Sequence, residues 1–283
     1  KYQPDYVFHL AAQALVKKSY LDPIYTWETN AIGTLNILES LKELKKKCVA
    51  VMITSDKSYK NLELKRGYRE NDTLGGKDPY SASKAAAELS IKSQISSFFP
   101  IKKTKVFIGI ARAGNVIGGG DWSENRLIPD CIKSWSKNKK VLIRSPKSTR
   151  PWQHVLEAIY GYLILASKLN NNKKIHGEAF NFGPTNAKNY NVIFTVKAMK
   201  KHWKKISWKL MKKNKKSFFE SNLLKLNSNK AKTYLKWKCI LNFNKTIKMV
   251  VDWYKNYYST NKKIHEITFN QIREYEQLLK KIG

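Results

Sequence analysis

A tyrosine and a lysine, Tyr80 and Lys84, stand four residues apart just after Asp78-Pro79. Proline suits the first position of a helix and disfavours helix for the residue before it, so the sequence predicts a helix that begins at Pro79. Residues four apart lie on the same face of a helix. A free phenol has a pKa of about 10, and a neighbouring ammonium group favours its ionised form. The pair could therefore accept a proton from an alcohol near neutral pH.

A strand must bring further reactive groups to this pair. The apolar run 49–53 predicts a buried strand, and Thr54-Ser55-Asp56-Lys57 follows it at once. Open α/β folds bind ligands at the carboxyl edge of their parallel sheet, which is where these four side chains would lie. If the Ser55 hydroxyl binds the same oxygen as Tyr80, the site suits removal of a proton from an alcohol while hydride leaves its carbon.

The elements around this strand predict an α/β fold. The apolar stretches 5–12 and 105–112 predict two further strands, and apolar residues at helical spacing over 27–44 predict an amphipathic helix. The order strand, helix, strand, helix, strand is typical of a parallel, doubly wound sheet of the Rossmann type. Such a fold normally begins with a strand and a G-x-G-x-x-G turn, and no such turn precedes Val51. We therefore expect the N-terminal half of the fold, roughly sixty residues, to be missing.

Composition limits the classes of partner. The 283 residues carry a net charge of +33, and 42% of them are hydrophobic, which indicates a folded and strongly basic chain. The lysines are spread through nearly every polar stretch without a recognised nucleic-acid-binding motif, so nucleic acid is not the favoured partner. No apolar run reaches the roughly 18 residues that span a bilayer. Cys48, Cys131 and Cys239 stand singly, without metal-ligand spacing, which favours free thiols in a reducing compartment, the cytoplasm.

The motif Tyr80-x-x-x-Lys84, with Thr54-Ser55-Asp56-Lys57 before it and Leu74-Gly75-Gly76-Lys77-Asp78-Pro79 between, resembles the extended short-chain dehydrogenase/reductase superfamily. Within that superfamily it is most similar to the sugar-nucleotide epimerases and dehydratases, and among those to the CDP-glucose 4,6-dehydratases. The resemblance implies NAD as the cofactor, a nucleotide sugar as the substrate, a homodimer, and a role in deoxysugar biosynthesis for lipopolysaccharide O-antigen.

The resemblance also assigns residues and domains. It implies that residues 1–112 form part of a dinucleotide-binding domain, which segments near 150–185 rejoin, and that residues 113–283 mainly form a smaller α/β substrate domain. The implied catalytic residues are Ser55, Asp56, Lys57, Tyr80 and Lys84. The implied cofactor-binding residues are Leu10, Ala11, Ala12, Asn30, Thr54, Tyr80 and Lys84, and the implied substrate-binding residues are Gln13, Asn115, Arg126, Leu127 and Arg150. No residue is assigned to a metal.

The implied reaction is removal of water from a nucleotide-linked glucose. Tyr80 would take the proton of the 4-hydroxyl while hydride passes from C4 to NAD. Lys57 would then remove the C5 proton made acidic by the 4-ketone, Asp56 would protonate the departing 6-hydroxyl, and hydride would return to C6. The product is a 4-keto-6-deoxy sugar nucleotide. Lys84 would stabilise ionised Tyr80 and bind the cofactor ribose.

Several alternatives remain open at this stage. An epimerase also oxidises the 4-hydroxyl, but it needs no acid and base for elimination, so the adjacent Asp56 and Lys57 favour a dehydratase. These two residues could instead form a salt bridge at a strand end, and a Tyr–Lys pair at this spacing is common on ordinary helices. A fragment unable to hold NAD and a basic polyanion-binding protein are the other possibilities. The resemblance alone favours CDP as the nucleotide.

Overall fold

The computed structural model describes residues 2–184, 190–203, 206–211, 223–259 and 264–281. The strands are β1 (Tyr6–His9), β2 (Cys48–Ile53), β3 (Val106–Ala113), β4 (Val116–Ile117), β5 (Val141–Ile143), β6 (Thr149–Arg150), β7 (Gln153–His154), β8 (Ala179–Phe182), β9 (Tyr190–Asn191) and β10 (Trp208–Leu210). The α-helices are α1 (Val16–Leu21), α2 (Pro23–Trp27), α3 (Gly33–Lys42), α4 (Pro79–Phe98), α5 (Leu127–Ser136), α6 (Val155–Asn171), α7 (Val192–Lys200), α8 (Phe243–Ser259) and α9 (Ile264–Lys280).

Two compact units divide the chain. Unit 1 contains Lys1–Gly114, Ile159–Thr185 and Phe219–Lys238, and unit 2 contains Asn115–Ala158, Asn186–Phe218 and Cys239–Gly283. The described residues 223–238 belong to unit 1. They pack within that unit, because Trp237 is fully buried and its ring meets that of Phe182 at a centroid distance of 5.1 Å. None of the described helices is long and apolar enough to cross a membrane.

Unit 1 is built on a four-stranded sheet in the order β1-β2-β3-β8, with every neighbouring pair parallel. This confirms the predicted parallel α/β sheet. The sequence of β2, Cys-Val-Ala-Val-Met-Ile, is buried nearly throughout, as expected of a central parallel strand covered on both faces. Alternate residues of β2 pack with α3 and α4 side chains, including Leu38 and Ile91, in one apolar cluster.

The predicted helix over 27–44 is present but is not one regular helix. It runs from α2 through a π turn, Glu28–Ile32, into α3. A single wide turn changes the spacing of apolar residues too little for a sequence pattern to separate it from an α-helix, and π turns of this kind are often found at functional sites. The π turn contains Asn30, which is buried and hydrogen-bonded to neighbouring elements.

Within its described residues, unit 2 combines helices α5, α7, α8 and α9 with short strand pairs. The strand pairs are β4 with β7, β5 with β10 and β6 with β9. Its core includes Trp135, Met199 and Tyr254, which are fully buried. Arg150 pairs with Tyr190 as part of β6, and α6 begins only at Val155. Pairing with two other strands keeps the segment 149–154 extended up to the start of α6.

Candidate active site

Three strand ends meet at the carboxyl edge of the unit 1 sheet. In the register of the sheet, His9 is opposite Met52, and Met52 is opposite Ile110. The segments that follow the three strands therefore leave the sheet at one edge: residues 10–12 after β1, residues 54–57 after β2, and Gly114 after β3. The structure thus brings together at this edge two of the segments that the sequence analysis assigned to cofactor binding and catalysis.

Helix α4 carries Tyr80 and Lys84 in its first two turns, and Lys84 reaches this edge. Asp78 caps the helix by accepting a hydrogen bond from the Ser81 amide at 3.0 Å, and Pro79 occupies the first turn, as the sequence predicts. Tyr80 and Lys84 are both buried in unit 1. The Lys84 Nζ donates to the Ile53 carbonyl at 3.3 Å. The ammonium therefore lies against the last residue of β2, directly before the polar segment 54–57.

The segment after β2 folds into a short 3₁₀ turn, Asp56–Ser58. The Ser55 side chain caps this turn: its Oγ accepts from the Lys57 amide at 3.1 Å and donates to Asp56 Oδ1 at 3.1 Å. Asp56 is buried, whereas Lys57 is half-buried. The serine hydroxyl and the carboxylate are therefore in direct contact and are held by the same turn.

Gly114 packs directly against the Asp56 carboxylate. A methyl group at the Cβ position of Gly114 would come within 2.6 Å of Asp56 Oδ1 and closer still to the rest of the carboxylate. Real Cβ atoms do not approach other atoms this closely. A side chain at position 114 would displace the acid, so the glycine after β3 helps to determine where the Asp56 carboxylate lies.

Burial sets the charge state of the groups around Lys84. It lowers the pKa of Lys84 to about 8, and the nearby Glu88 carboxylate partly opposes this change. Burial also lowers the pKa of His9, with a further contribution from the Lys84 ammonium. His9 is therefore neutral at pH 7, and its Nε2 lies 3.2 Å from the Thr34 hydroxyl. Lys84 stays mostly protonated at that pH, as stabilisation of an ionised phenol requires.

Asn30 and Gln13 join the segment after β1 to helix α4. Asn30 accepts from the Gln13 amide at 2.8 Å through Oδ1, and its Nδ2 donates to the Gln13 carbonyl at 3.1 Å and to the Ser83 hydroxyl at 2.9 Å. The Gln13 side chain is buried and bonds to Thr26 and to both backbone polar groups of Leu15. These contacts give Gln13 a role in holding the turn, which the sequence analysis did not include.

A buried ion pair behind the segment 54–57 escaped the sequence analysis. Glu88 and Arg112 have fully buried side chains and pair through two hydrogen bonds, one of them from Arg112 Nε to Glu88 Oε2 at 2.9 Å. The signal was present in the sequence. Arg112 ends a strand of otherwise apolar and small residues, and Glu88 lies four residues after Lys84 on α4.

The predicted substrate residues after β3 lie in unit 2. Asn115 adopts a left-handed backbone conformation with φ of 54°, and its carbonyl accepts from the Gln153 amide at 3.2 Å. Arg126 pairs with Asp121 at 3.1 Å. Leu127 is the first residue of α5 and packs against the unit 2 core, and Arg150 is a half-buried residue of β6.

The edge of unit 1 has features that suit a flat cofactor. Leu10 and Ala11 are exposed and Ala12 is half-buried, so the segment after β1 presents small side chains and open backbone. Across the described part of the chain, the Lys84 ammonium has one recorded hydrogen-bond acceptor, the Ile53 carbonyl. An ammonium group carries three donors, so Lys84 retains capacity to bind ligand hydroxyls. These residues fit a dinucleotide and an alcohol substrate.

Comparison with known proteins agrees with this geometry. The family described as GDP-mannose 4,6 dehydratase matches residues 1–250. The chain is 44% identical to CDP-glucose 4,6-dehydratase of Salmonella typhimurium over 90% of its length, and it spans 72% of that protein. It is 29% identical to UDP-glucose 4-epimerase of Mycoplasma pneumoniae over 69% of its length, and it spans 61% of that protein.

A solved structure supports the fold. UDP-glucuronic acid 4-epimerase from Bacillus cereus, in complex with UDP-glucuronic acid and NAD, superposes with a TM-score of 0.77 at 21% identity. The match covers 90% of this chain and 76% of the epimerase chain. At that identity the likeness concerns the fold, whereas the family match extends over most of the sequence. The chain belongs to the family described as GDP-mannose 4,6 dehydratase.

Proposed function

We propose that this protein removes water from a nucleotide-linked glucose, with NAD as cofactor and CDP-glucose as the favoured substrate, to give the 4-keto-6-deoxy sugar nucleotide. The observation that supports the proposal is the hydrogen-bonded Ser55–Asp56 pair, followed by Lys57, at the sheet edge that the Lys84 ammonium of α4 also contacts. The 44% identity to a CDP-glucose 4,6-dehydratase supports the choice of substrate.

The residues of unit 1 that would hold NAD are those at its carboxyl edge. We assign this role to the segment 10–12, to Thr54 and to the Lys84 ammonium, with Asn30 holding the segment after β1 in place. Bound there, NAD would supply a reversible hydride acceptor for oxidation at C4 and reduction at C6 of the sugar. The solved epimerase of the same fold contains NAD.

Oxidation at C4 requires removal of the proton from the 4-hydroxyl. We assign this to the Tyr80 phenolate, because a phenolate beside a protonated lysine is a base of suitable strength near neutral pH. Lys84 is buried and lies one helical turn after Tyr80, so its ammonium would stabilise the phenolate. The Ser55 hydroxyl, held by the 3₁₀ turn, would turn its single proton from Asp56 Oδ1 to the same substrate oxygen.

Elimination requires an acid and a base beyond the oxidising groups. Lys57, at the half-buried position in the turn, would take the C5 proton, and Asp56 would deliver a proton to the departing 6-hydroxyl. The two groups adjoin Ser55 in sequence, so one turn carries both the residue that contacts O4 and the pair that completes water loss. An epimerase needs no such pair, which is why this segment favours dehydration.

Unit 2 would recognise the nucleotide. We propose that Asn115 contacts the sugar nucleotide, that Leu127 lines its site, and that Gln13 of unit 1 also contacts the sugar nucleotide. Arg126 and Arg150 would face the diphosphate, because a guanidinium group matches pairs of phosphate oxygens. We further propose that the protein works as a homodimer in the cytoplasm, in a route to deoxysugars, and that nucleic acid is not its partner.

The test is incubation with NAD and a panel of nucleotide-glucoses, followed by mass spectrometry for a product 18 mass units lighter, the mass of one water. We expect CDP-glucose to be converted fastest. Tyr80→Phe should abolish formation of any 4-keto sugar, and Lys57→Ala should allow the 4-keto sugar to form without water loss. Exposed residues of the same types provide the controls Tyr6→Phe and Lys102→Ala, which should behave as wild type. Dehydration at the normal rate by Lys57→Ala would refute the assignment of the base.

A further inference from the structure

The Glu88–Arg112 ion pair contacts both ends of the segment that carries Ser55, Asp56 and Lys57. At the start of the segment, Thr54 Oγ1 donates to Glu88 Oε2 at 3.1 Å. At its end, Arg112 Nη1 donates to the Tyr59 hydroxyl. The four residues between Thr54 and Tyr59 are therefore attached on either side to one buried pair of charges.

The same pair connects this segment to the helix of the proposed base. Glu88 lies on α4, one turn after Lys84 and two turns after Tyr80, and residues four apart share a helix face. A second contact runs in parallel, from the Ser58 hydroxyl to the Lys84 carbonyl at 3.4 Å. A displacement of the Glu88 side chain relative to α4 would therefore move the segment 54–59 relative to Tyr80 and Lys84.

Arg112 is itself fixed on several sides. Its guanidinium group also donates to the Glu70 carbonyl at 3.0 Å and lies 4.7 Å from the centre of the Tyr59 ring. The Tyr59 hydroxyl in turn donates a hydrogen bond to Asn181 Oδ1 in β8 at 2.8 Å. Since Arg112 belongs to β3 and Asn181 to β8, the network ties the position of the segment to two strands of the sheet.

Burial makes this arrangement specific. The side chains of Glu88 and Arg112 are both 0% exposed. Two charges removed from water are stable only when their partners are in place, so alternative positions of the segment would leave a buried group unpaired. Neither residue lies in the segment that follows a strand at the ligand-binding edge. Their burial therefore favours a role in positioning the segment 55–57 over direct contact with a ligand.

We propose that Glu88 and Arg112 are positioning residues that align the acid–base segment 55–57 with Tyr80 and Lys84, and that they matter more for water loss than for oxidation. This inference rests on the proposed function. Oxidation depends mainly on Tyr80 and Lys84, which the rigid helix holds together, and it draws on the segment only through the contact of Ser55 with O4. Water loss also depends on Asp56 and Lys57, whose place relative to the helix is set by the ion pair.

The test uses Tyr59→Phe and Glu88→Gln in the full chain. Tyr59→Phe keeps the ring and removes only the hydroxyl that ties the end of the segment to Arg112. In quenched reactions with CDP-glucose and NAD, the ratio of the 4-keto, undehydrated sugar nucleotide to the dehydrated product should rise about tenfold, since a displacement of about 1 Å can cost up to about a hundredfold in rate. Hydrogen exchange of the amides of residues 57–59, which bond within the 3₁₀ turn, should also quicken.

A matched control breaks an exposed ion pair of the same unit. Glu178 pairs with Lys230, and its side chain is 50% exposed. Glu178→Gln removes the same charge as Glu88→Gln, but exposed pairs contribute little to structure. It should leave both the product ratio and the exchange of residues 57–59 unchanged.

The outcomes separate this inference from the proposed function. If wild type makes no 4-keto sugar from any nucleotide-glucose, the proposed function fails, and hydrogen exchange still tests the positioning role. If wild type turns over and folded Tyr59→Phe retains the wild-type ratio and exchange rates, the positioning role is refuted. An equal decrease in the rates of oxidation and water loss, with the product ratio unchanged, also refutes the positioning role. Should Glu88→Gln fail to fold, Tyr59→Phe alone decides the question.

Discussion

Replacing Gly114 by alanine tests whether the Asp56 carboxylate must lie where the structure places it. The new methyl group would come within 2.6 Å of Asp56 Oδ1 and closer to the rest of the carboxylate. An ordinary contact needs about 3.5 Å, so the acid has to move by about 1 Å or more. The backbone of Gly114 is outside the left-handed region, and alanine therefore introduces a steric effect without backbone strain.

The displacement predicts separate effects on stability and on rate. Crowding a well-packed site costs roughly 1–3 kcal/mol, which should lower the melting temperature but leave the protein folded. A misplacement of about 1 Å can slow a reaction about a hundredfold, equivalent to about 3 kcal/mol of transition-state stabilisation. Because Asp56 is assigned to protonation of the 6-hydroxyl, water loss should fall by this factor while oxidation at C4 continues.

The assay follows undehydrated and dehydrated 4-keto sugars by mass spectrometry, together with thermal unfolding. Gly33→Ala is the matched control, because a methyl group there would meet the Glu28 carbonyl at an ordinary 3.5 Å. Gly33 lies in α3, where alanine should stabilise the helix by up to about 1 kcal/mol. Its catalytic behaviour should equal that of wild type.

A double variant isolates the contact itself. In an Asp56→Ala background the carboxylate is absent, so adding Gly114→Ala should lower the melting temperature much less than it does in wild type. The interaction energy from this cycle measures the Gly114–Asp56 contact alone. Additive effects of the two substitutions, or normal water loss by folded Gly114→Ala, would contradict the placement of Asp56 against Gly114.

Two pH-dependent predictions follow from buried groups. The pKa of Lys84 is lowered by burial from 10.5 to about 8, so between these values the unfolded chain binds a proton that the folded chain does not. The free energy of unfolding should rise by roughly 3 kcal/mol over that window, and urea unfolding of Lys84→Met should lack the rise. Burial likewise lowers the pKa of His154 from 6.5 to about 4. As pH falls through that window, unfolding should become easier by roughly 3 kcal/mol, a loss that melting curves of His154→Gln should not show.

The fold could be predicted largely from local patterns. The β-branched run that became β2 and the Asp78-Pro79 helix start are short-range signals, and the structure places both within a residue of the expected position. The parallel sheet followed from the order of the elements alone. Local patterns do not predict structure that depends on pairing between distant segments. Arg150 is an example, because it forms a strand with residues some forty positions away.

The site was predictable where its reactive side chains follow the end of a strand or lie at the start of a helix. The placement of Ser55 and Asp56 followed from the polar stretch after an apolar run. The role of Gly114 in fixing the position of the Asp56 carboxylate could not be predicted, because it depends on which distant segment packs against the glycine. The hydrogen bonds of the Gln13 amide were missed for a similar reason, since its partners become visible only when the turn is folded.

The inward face of α4 shows why the ion pair in particular escaped. Pattern rules assign polar residues on a helix to solvent and apolar residues to the core. The buried residues of α4 include Ser83, Lys84 and Glu88 beside apolar residues such as Ile91, so the rule fails at these three polar positions. The failure has a physical cause: the helix must carry a charged group to the sheet edge, and a buried charge needs buried partners. Local rules fail where function places polar groups inside, and in α4 that failure itself marks the turn after Lys84 as part of the machinery that aligns the site.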